Sequence, residues 1–437
     1  MVKYGRIKGV RKLAPAMSER SVHPEETRVR AAPIAAKKGV TRLANITGLD
    51  RLGIPVYTAV VPKSDDAISV YNGKGAAPVD SLTGALMEAI ERQTALYAEL
   101  NVVEKSYRNL CRGKVPVADP RSFNHKLRPD YGKDRPYWWV EGHDLLAHEP
   151  VLIPAGLAGY GRMYNGNRSP FVAYSTNGLA SGNCFEEAIA HALCELIERD
   201  AWTLAELRSQ WIPHAQREAL FGKEVAADGW DDPDVYPRID LQNAGAPISE
   251  LITKFQNAGL SPVVRDITSD FGVACVIASV ADDSVPGFPQ AHSGIGAHPN
   301  ARIAVVRALT ELAQSRVVDI QGVREDLISA DAPSKSSSRH TQRIQKIEPR
   351  RWILQQAGIE RPFEQMVSIE NDDIADDIRF ILSGFVRRGI ERAIVVDFTE
   401  PDSFPVVRVL VPGLEFWSID QGKLGDRALQ FWRQHAC

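Results

Sequence analysis

Residues 85–92 read ALMEAIER and residues 192–199 read ALCELIER, with six of the eight positions identical and Glu88 aligned with Glu195. An E-x-x-E-R helix that recurs so far along a chain marks an internal repeat. Two copies predict two pseudo-symmetric halves, each packing such a helix on a sheet. At about 100° per residue, Leu82, Ala85, Leu86, Ala89, Ile90 and Leu96 share one arc, and Ser81, Gly84, Glu88, Glu91, Arg92 and Ala95 share the arc beside it. In the second copy Glu187, His191, Glu195, Glu198 and Trp202 line up, leaving Ile189, Leu193, Leu196 and Ile197 for a core. A third helix over residues 301–322, ARIAVVRALTELAQSRVVDIQG, carries a similar stripe of Arg307, Glu311 and Gln314.

Around these helices the pattern turns to strands. TRLANITGLDRLGIPVYTAVVP predicts strands around 41–46 and 54–61 joined by a turn near Gly48 to Gly53. SPVVRDIT, ACVIASVA, RAIVVDFT and PVVRVLVPG also read as strands, and residues 136–174 as short strands and turns. The last two strands should return to the main sheet, because nothing after them could form a separate core. The expected fold class is α/β, with mixed sheets and packed helices in two pseudo-repeated halves. Residues 1–40 are basic and then mixed without a sustained period, and are expected to be a poorly ordered arm, so the folded domain spans 41–437. Residues 213–246 lose apolar density, as a peripheral insertion would, and the Ser-rich stretch 330–345 reads as a mobile loop.

Composition narrows the function classes. The chain has 437 residues, 44% hydrophobic and 24% charged, which is ordinary globular usage. With 52 Lys+Arg against 55 Asp+Glu the net charge is -3, so no global field draws the protein onto nucleic acid or an acidic membrane. No apolar run approaches the roughly 20 residues of a membrane span, and the basic start lacks the apolar region of a secretory signal. A cytoplasmic protein is expected. The five cysteines are scattered with no C-x-x-C pair, so free thiols are the default.

The acidic stripes admit two readings. Each could be a solvated face with i to i+4 pairs such as Glu88 with Arg92, worth a few tenths of a kcal/mol. That reading accounts poorly for three occurrences with Gly84, Ala95 and Ala304 among the charges. If Glu88, Glu91, Glu187, Glu195, Glu198 and Glu311 instead converge on a cleft, repulsion and desolvation would require cations. Oxygen-only ligation favours Mg²⁺, which brings phosphate and water, and Lys74, Arg307 and Arg199 could neutralise those phosphates. No G-x-x-x-x-G-K-[ST] motif occurs; Asn72-Gly73-Lys74-Gly75 ahead of Ser81 reads either as an exposed turn or as a phosphate loop. Ser175 to Asn183, directly before a helix, reads either as a capping turn or as a base- or phosphate-contacting loop. His191 could be a general base or a packed histidine, and His292 and His298 have no metal-ligand partners. A carboxylate-bridged di-iron site lacks its Glu-x-x-His pairs.

SLTGALMEAIER (81–92), STNGLASGNCFEEAIAHALCELIERDA (175–201) and RALTELAQSR (307–316) together resemble the YcaO family, over about residues 41–417. TRLANITGLDRLGIPVYTAV (41–60) resembles the branch encoded beside TfuA-type partners. The resemblance implies an ATP- and Mg²⁺-dependent enzyme that phosphorylates a backbone amide oxygen of a peptide or protein so that a nucleophile can replace it. A sulfur donor and a TfuA-like partner would give a thioamide. Attack by a Cys, Ser or Thr side chain of the substrate would give an azoline. An ATP-binding accessory protein without chemistry is the alternative from another class. The family's nucleotide positions fall on Lys74, Ser81, Glu88, Glu91, Asn183, Glu187, Glu195, Glu198, Arg307 and Glu311, with the six glutamates as metal ligands; no catalytic acid or base is assigned. A homodimer is expected from the family. Many azoline-forming relatives end in a proline-rich tail, whereas this chain ends in ALQFWRQHAC, which disfavours an azoline product.

Overall fold

A computed structural model describes residues 7–14, 17–66, 68–160, 164, 166–171, 175–208, 234–282, 290–322, 351–417 and 424–435. Three sheets carry the described fold. The first is an antiparallel meander of β1 (Arg42–Asn45), β2 (Val56–Val60) and β3 (Val70–Lys74). The second has six strands: β4 (Val103–Ser106), β5 (Pro136–Asp144), β6 (Glu149–Pro154), β7 (Leu179–Ser181), β13 (Ile394–Asp397) and β14 (Val406–Leu410). They run in the order β4-β5-β13-β14-β7, with β6 paired to β5. The third has five: β8 (Arg238–Asp240), β9 (Val263–Asp266), β10 (Ala274–Asp282), β11 (Gln290–His298) and β12 (Glu360–Pro362), in the order β11-β10-β9-β8-β12. The expected return of RAIVVDFT and PVVRVLVPG holds, since they are β13 and β14 at the middle of the second sheet.

Helix α1 (Pro24–Lys37) lies on α2 (Pro78–Tyr97), which covers the first sheet. After two single-turn helices, α3 (Tyr107–Leu110) and α4 (Ala155–Ala158), α5 (Phe185–Arg208) fills the space between the second and third sheets. The outer face of the third sheet holds α6 (Ile248–Asn257) and α7 (Ala301–Gly322). A short α8 (Arg351–Leu354), α9 (Ile374–Arg387) and α10 (Asp426–His435) follow, the last two packing on α5. Period-two alternation sorts the strands between layers. On β10, Cys275 and Ile277 join α5, Val395, Val407 and Val409 in one core, while Ala274, Val276, Ala278 and Val280 join α6 and α7 in another.

Glycines set the distance between strand and helix. A Cβ at Gly73 on β3 would run into the Ser81 carbonyl oxygen and the Ala85 amide of α2, and one at Gly296 on β11 into the Ala304 carbonyl of α7. Both strands therefore lie directly against a helix backbone. β7 enters α5 through Gly182, where a Cβ would run into the Ala188 amide. The repeated helix is thus one half of a strand-plus-helix unit, present three times as β3–α2, β7–α5 and β11–α7.

The structure departs from the sequence reading in three places. The fold does not begin near Thr41: α1 buries Thr27, Ala31 and Ala35, and its alanines pack with Leu86, Ile90 and Phe404. Alanines at i, i+4 spacing carry too little hydrophobicity to stand out in a basic segment. Within the supposed insertion at 213–246, Arg238–Asp240 is β8, and Ile239, Leu241 and Ala244 lie in the core with Phe255; a three-residue strand is too short to show alternation. Residues 213–233 of that stretch, and the loop expected at 330–345, lie outside the described residues. Asn72, Gly73 and Lys74 are not a turn or a loop but the end of β3, paired with Thr58, Tyr57 and Val56. Among the described residues no helix is long and apolar enough to cross a membrane.

Candidate functional site

The three strand-plus-helix units converge with their acidic stripes facing one another. Glu88 and Glu91 come from α2, Glu195 and Glu198 from α5, Arg307 and Glu311 from α7, and Lys74 from the end of β3. The six carboxylates do not form one cluster. Glu88, Glu91 and Glu195 make a first group, close enough that their charges act on one another. Each is held by a neutral donor: the Asn72 amide donates to Glu88 Oε2 at 3.0 Å, the Ser181 hydroxyl to Glu91 Oε2 at 3.1 Å, and the Gly178 amide to Glu195 Oε1 at 3.0 Å. Burial pushes the Glu88 carboxyl up to about 7, and burial followed by the charges of Glu88 and Glu195 holds Glu91 well above the carboxylate range. Among the described residues none of the three forms an ion pair with a lysine or arginine.

Glu198 and Glu311 make a second group that is laced with cations. Lys74 Nζ is bonded to Glu311 Oε2, and Arg199 Nη1 lies 3.4 Å from Glu198 Oε1. Burial, reinforced by the charge of Glu311, raises Glu198 to about 7. Burial alone would raise Glu311 as well, but Lys74 and Arg199 outweigh it and lower the group. Arg92 is not the partner of Glu88 that i to i+4 spacing implied. Its Nε and Nη2 grip the two oxygens of Asp66 at 2.8 and 2.9 Å, with Nη2 also donating to Tyr160 at 2.6 Å.

Glu187 stands apart, two turns and so about 12 Å along α5 from Glu195. One of its oxygens accepts from the Asn183 amide at 2.8 Å and the Asn183 side-chain nitrogen at 3.1 Å. The other accepts from the Ser21 amide at 2.7 Å and its hydroxyl at 2.5 Å. Ser81 is fully buried, and its hydroxyl ties α2 to β3 by donating to the Gly73 carbonyl at 2.7 Å. Arg307 Nη1 bonds Glu19 Oε2 and His191 Nδ1, both at 3.2 Å. Burial and the charge of Arg307 lower the His191 pKa, so the neutral ring serves as acceptor for that guanidinium. His292 lies 3.3 Å from Asp319, and His298, pushed down to about 3 by burial, lies 3.5 Å from Asp377.

Two features of this geometry had no sequence signal. Glu19, Arg20, Ser21 and Thr27 reach the site from a segment with no period, and Asp66 with Tyr160 fixes Arg92 across long separations. Among the described residues no three His, Cys, Asp or Glu side chains are grouped closely enough to hold an ion as they stand. Repulsion fits the spacing: Glu88, Glu91, Glu187 and Glu195 turn to nearby N–H or O–H donors, and Glu198 and Glu311 to Arg199 and Lys74, instead of to one another. The chemistry of the donor set still fits Mg²⁺ with a polyphosphate. Oxygen ligands from three helices line one side, and Lys74, Arg199 and Arg307 stand beside them.

The family described as YcaO cyclodehydratase, ATP- and Mg²⁺-binding, matches residues 72–415, a span that contains all ten candidate residues. An uncharacterized protein of Methanothermobacter thermautotrophicus is 36% identical over 417 residues, covering 94% of this chain and 99% of that one. A protein of Rhizobium leguminosarum bv. trifolii, named for its place in the tfuA 3′ region, is 32% identical over 408 residues, covering 91% of this chain and 89% of its own. Among solved structures, YcaO of Methanopyrus kandleri bound with AMPPCP and Mg²⁺ superposes with a TM-score of 0.68 at 23% identity, over 96% of this chain and 98% of that one. A heterocyclase in complex with substrate and cofactor gives 0.72 at 19% identity, over 97% of this chain and 58% of that one. At these identities the structural likeness is one of fold.

Proposed function

The chain belongs to the YcaO family, whose cofactors are ATP and Mg²⁺, and from that premise we propose that it converts a backbone amide of a peptide or protein into a thioamide. The observation that carries the site assignment is the group of Glu88, Glu91 and Glu195, three half-buried carboxylates that act on one another's charge, with neutral donors and no ion pair to a lysine or arginine among the described residues. A fold keeps such a group at a cost in stability, and a ligand that brings positive charge offsets that cost. Glu88, Glu91, Glu187, Glu195, Glu198 and Glu311 are the residues that would hold Mg²⁺, which when bound offsets charge on phosphate oxygens.

Lys74 and Arg307 are the cations for the phosphates, and Ser81 and Asn183 complete the nucleotide positions. Lys74 is paired with Glu311. Exchanging that carboxylate for a phosphate oxygen leaves Glu311 free to turn towards a cation. In the reaction, the substrate amide oxygen attacks the γ-phosphorus and ADP departs. A sulfur nucleophile then adds to the activated carbon, and phosphate leaves with the original oxygen. The sulfur-inserting outcome is supported by the Rhizobium relative named for the tfuA region, and a TfuA-like protein is the proposed partner for sulfur delivery. The family's description as cyclodehydratase favours a second reading, in which a substrate Cys, Ser or Thr is the nucleophile and an azoline forms.

Comparing intact and digested peptides from cells with and without this gene by high-resolution mass spectrometry separates the readings. Replacement of oxygen by sulfur supports thioamidation. Loss of water at Cys, Ser or Thr replaces it with azoline formation. Unchanged peptides in cells that express the protein would leave it an ATP-binding accessory.

A further inference from the structure

The segment before α1 is anchored at both ends of a path across the site. At one end Lys12 Nζ meets Asp377 Oδ2 at 2.5 Å in the interior, the Val10 amide donates to Asp373 Oδ1 at 2.9 Å, and the Lys8 amide donates to Glu186 Oε1 at 2.9 Å. At the other, Thr27 on the first turn of α1 donates to the Asn183 side-chain oxygen at 3.0 Å. Between these anchors Glu19 takes Arg307 and Ser21 takes Glu187. Three of the ten candidate nucleotide residues, Asn183, Glu187 and Arg307, are therefore bonded to one N-terminal strap.

From this arrangement we infer that Glu19 and Ser21 are positioning residues of the nucleotide site, holding Arg307 and Glu187 in the orientation in which they meet the ligand. The inference rests on the nucleotide role proposed above for those two residues. Arg307 is bonded to Glu19 and also feels the charges of Glu198 and Glu311. A long guanidinium side chain has rotamer entropy to lose on binding, and a fixed carboxylate behind it removes part of that cost beforehand. Among the described residues no hydrogen bond uses Arg307 Nε or Nη2, so Glu19 can stay bonded to Nη1 while other N–H groups of the fork meet a phosphate. Ser21 acts in the same way on Glu187, since two of the four donors on that carboxylate come from this one residue.

The test is calorimetric titration of the full chain with AMPPCP and Mg²⁺, with unliganded melting temperature as the fold control. Glu19→Gln should weaken AMPPCP binding by about tenfold or more, the lower end of what loss of an orienting partner does at metal sites, and Glu19→Asp should recover part of it. Ser21→Ala, which keeps the amide donor, should weaken binding severalfold. Unchanged or tighter binding by Glu19→Gln overturns the inference, and tighter binding would make Glu19 a competitor of phosphate. If Glu19→Gln loses the fold, Ser21→Ala decides, and parental affinity there overturns the inference. Failure of the parent chain to bind AMPPCP would instead sink the nucleotide assignment itself, and this inference with it.

Discussion

Two sets of carboxylates in this molecule are treated in opposite ways. Asp50, Asp66, Asp144 and Asp200 each meet an arginine, namely Arg316, Arg92, Arg392 and Arg427, at 2.8 to 2.9 Å. These pairs tie together elements far apart in the chain, and their charges are neutralised within the fold. Glu88, Glu91 and Glu195 are only partly buried and, among the described residues, accept hydrogen bonds only from a peptide N–H or a hydroxyl. The contrast separates carboxylates that hold the architecture from carboxylates kept for something brought from outside. The second kind is expected to cost stability and to supply function.

The largest expected effect lies on the paired side. Asp50→Asn removes the charge from the bidentate contact to buried Arg316 and should cost about 3–5 kcal/mol in urea unfolding, while ATP turnover per folded molecule is unchanged. An equal loss of turnover would blur the division. On the unpaired side, Glu195→Gln should lower ATP turnover by about a hundredfold or more, the scale of removing one preorganised electrostatic group, with the fold intact. Retained turnover would place the site elsewhere.

Glu415 is fully buried outside the cleft and, among the described residues, forms no ion pair. It accepts from the Gly425 and Ala428 amides at the start of α10, and burial raises it to about 7. A carboxyl whose folded pKa lies above its ordinary 4.5 binds more protons in the folded state. Its contribution to stability is therefore greatest below about pH 4.5 and declines as pH rises to about 7, at most about 1.4 kcal/mol per pH unit. The stability profile of Glu415→Gln should be flatter than the parent's across that window, and an identical slope would refute the assignment. The smallest effect is at Glu91, where Gln removes a carboxyl whose ionised form burial and the charges of Glu88 and Glu195 oppose. Metal-free Glu91→Gln should gain about 0.5–2 kcal/mol, whereas a lower melting temperature would mean that Glu91 has a structural partner.

The sequence was most legible where period and repetition act over many residues. The helices containing the two E-x-x-E-R copies, and α7 over residues 301–322, appear as read, because a 3.6-residue period over five or six turns has few alternatives. Short or small-residue elements were not legible: β8 is three residues long, and α1 buries alanines in a charged segment. For the site, the stripes identified the charged side chains but not their pairing. Arg92 goes to Asp66 instead of Glu88 because a bidentate contact to a buried carboxylate, formed only by the tertiary fold, outweighs an i to i+4 pair. The strap residues Glu19 and Ser21 had no pattern to announce them, since their partners lie 288 and 166 residues away.

The account rests on the claim that the unpaired carboxylates await Mg²⁺ and a nucleotide. Metal-free protein titrated with AMPPCP, with and without Mg²⁺, beside a Glu88→Gln/Glu195→Gln variant, tests it most directly. The account predicts tight binding only when Mg²⁺ is present and only in the parent chain. Binding that is the same without Mg²⁺, or undiminished in the variant, would contradict it.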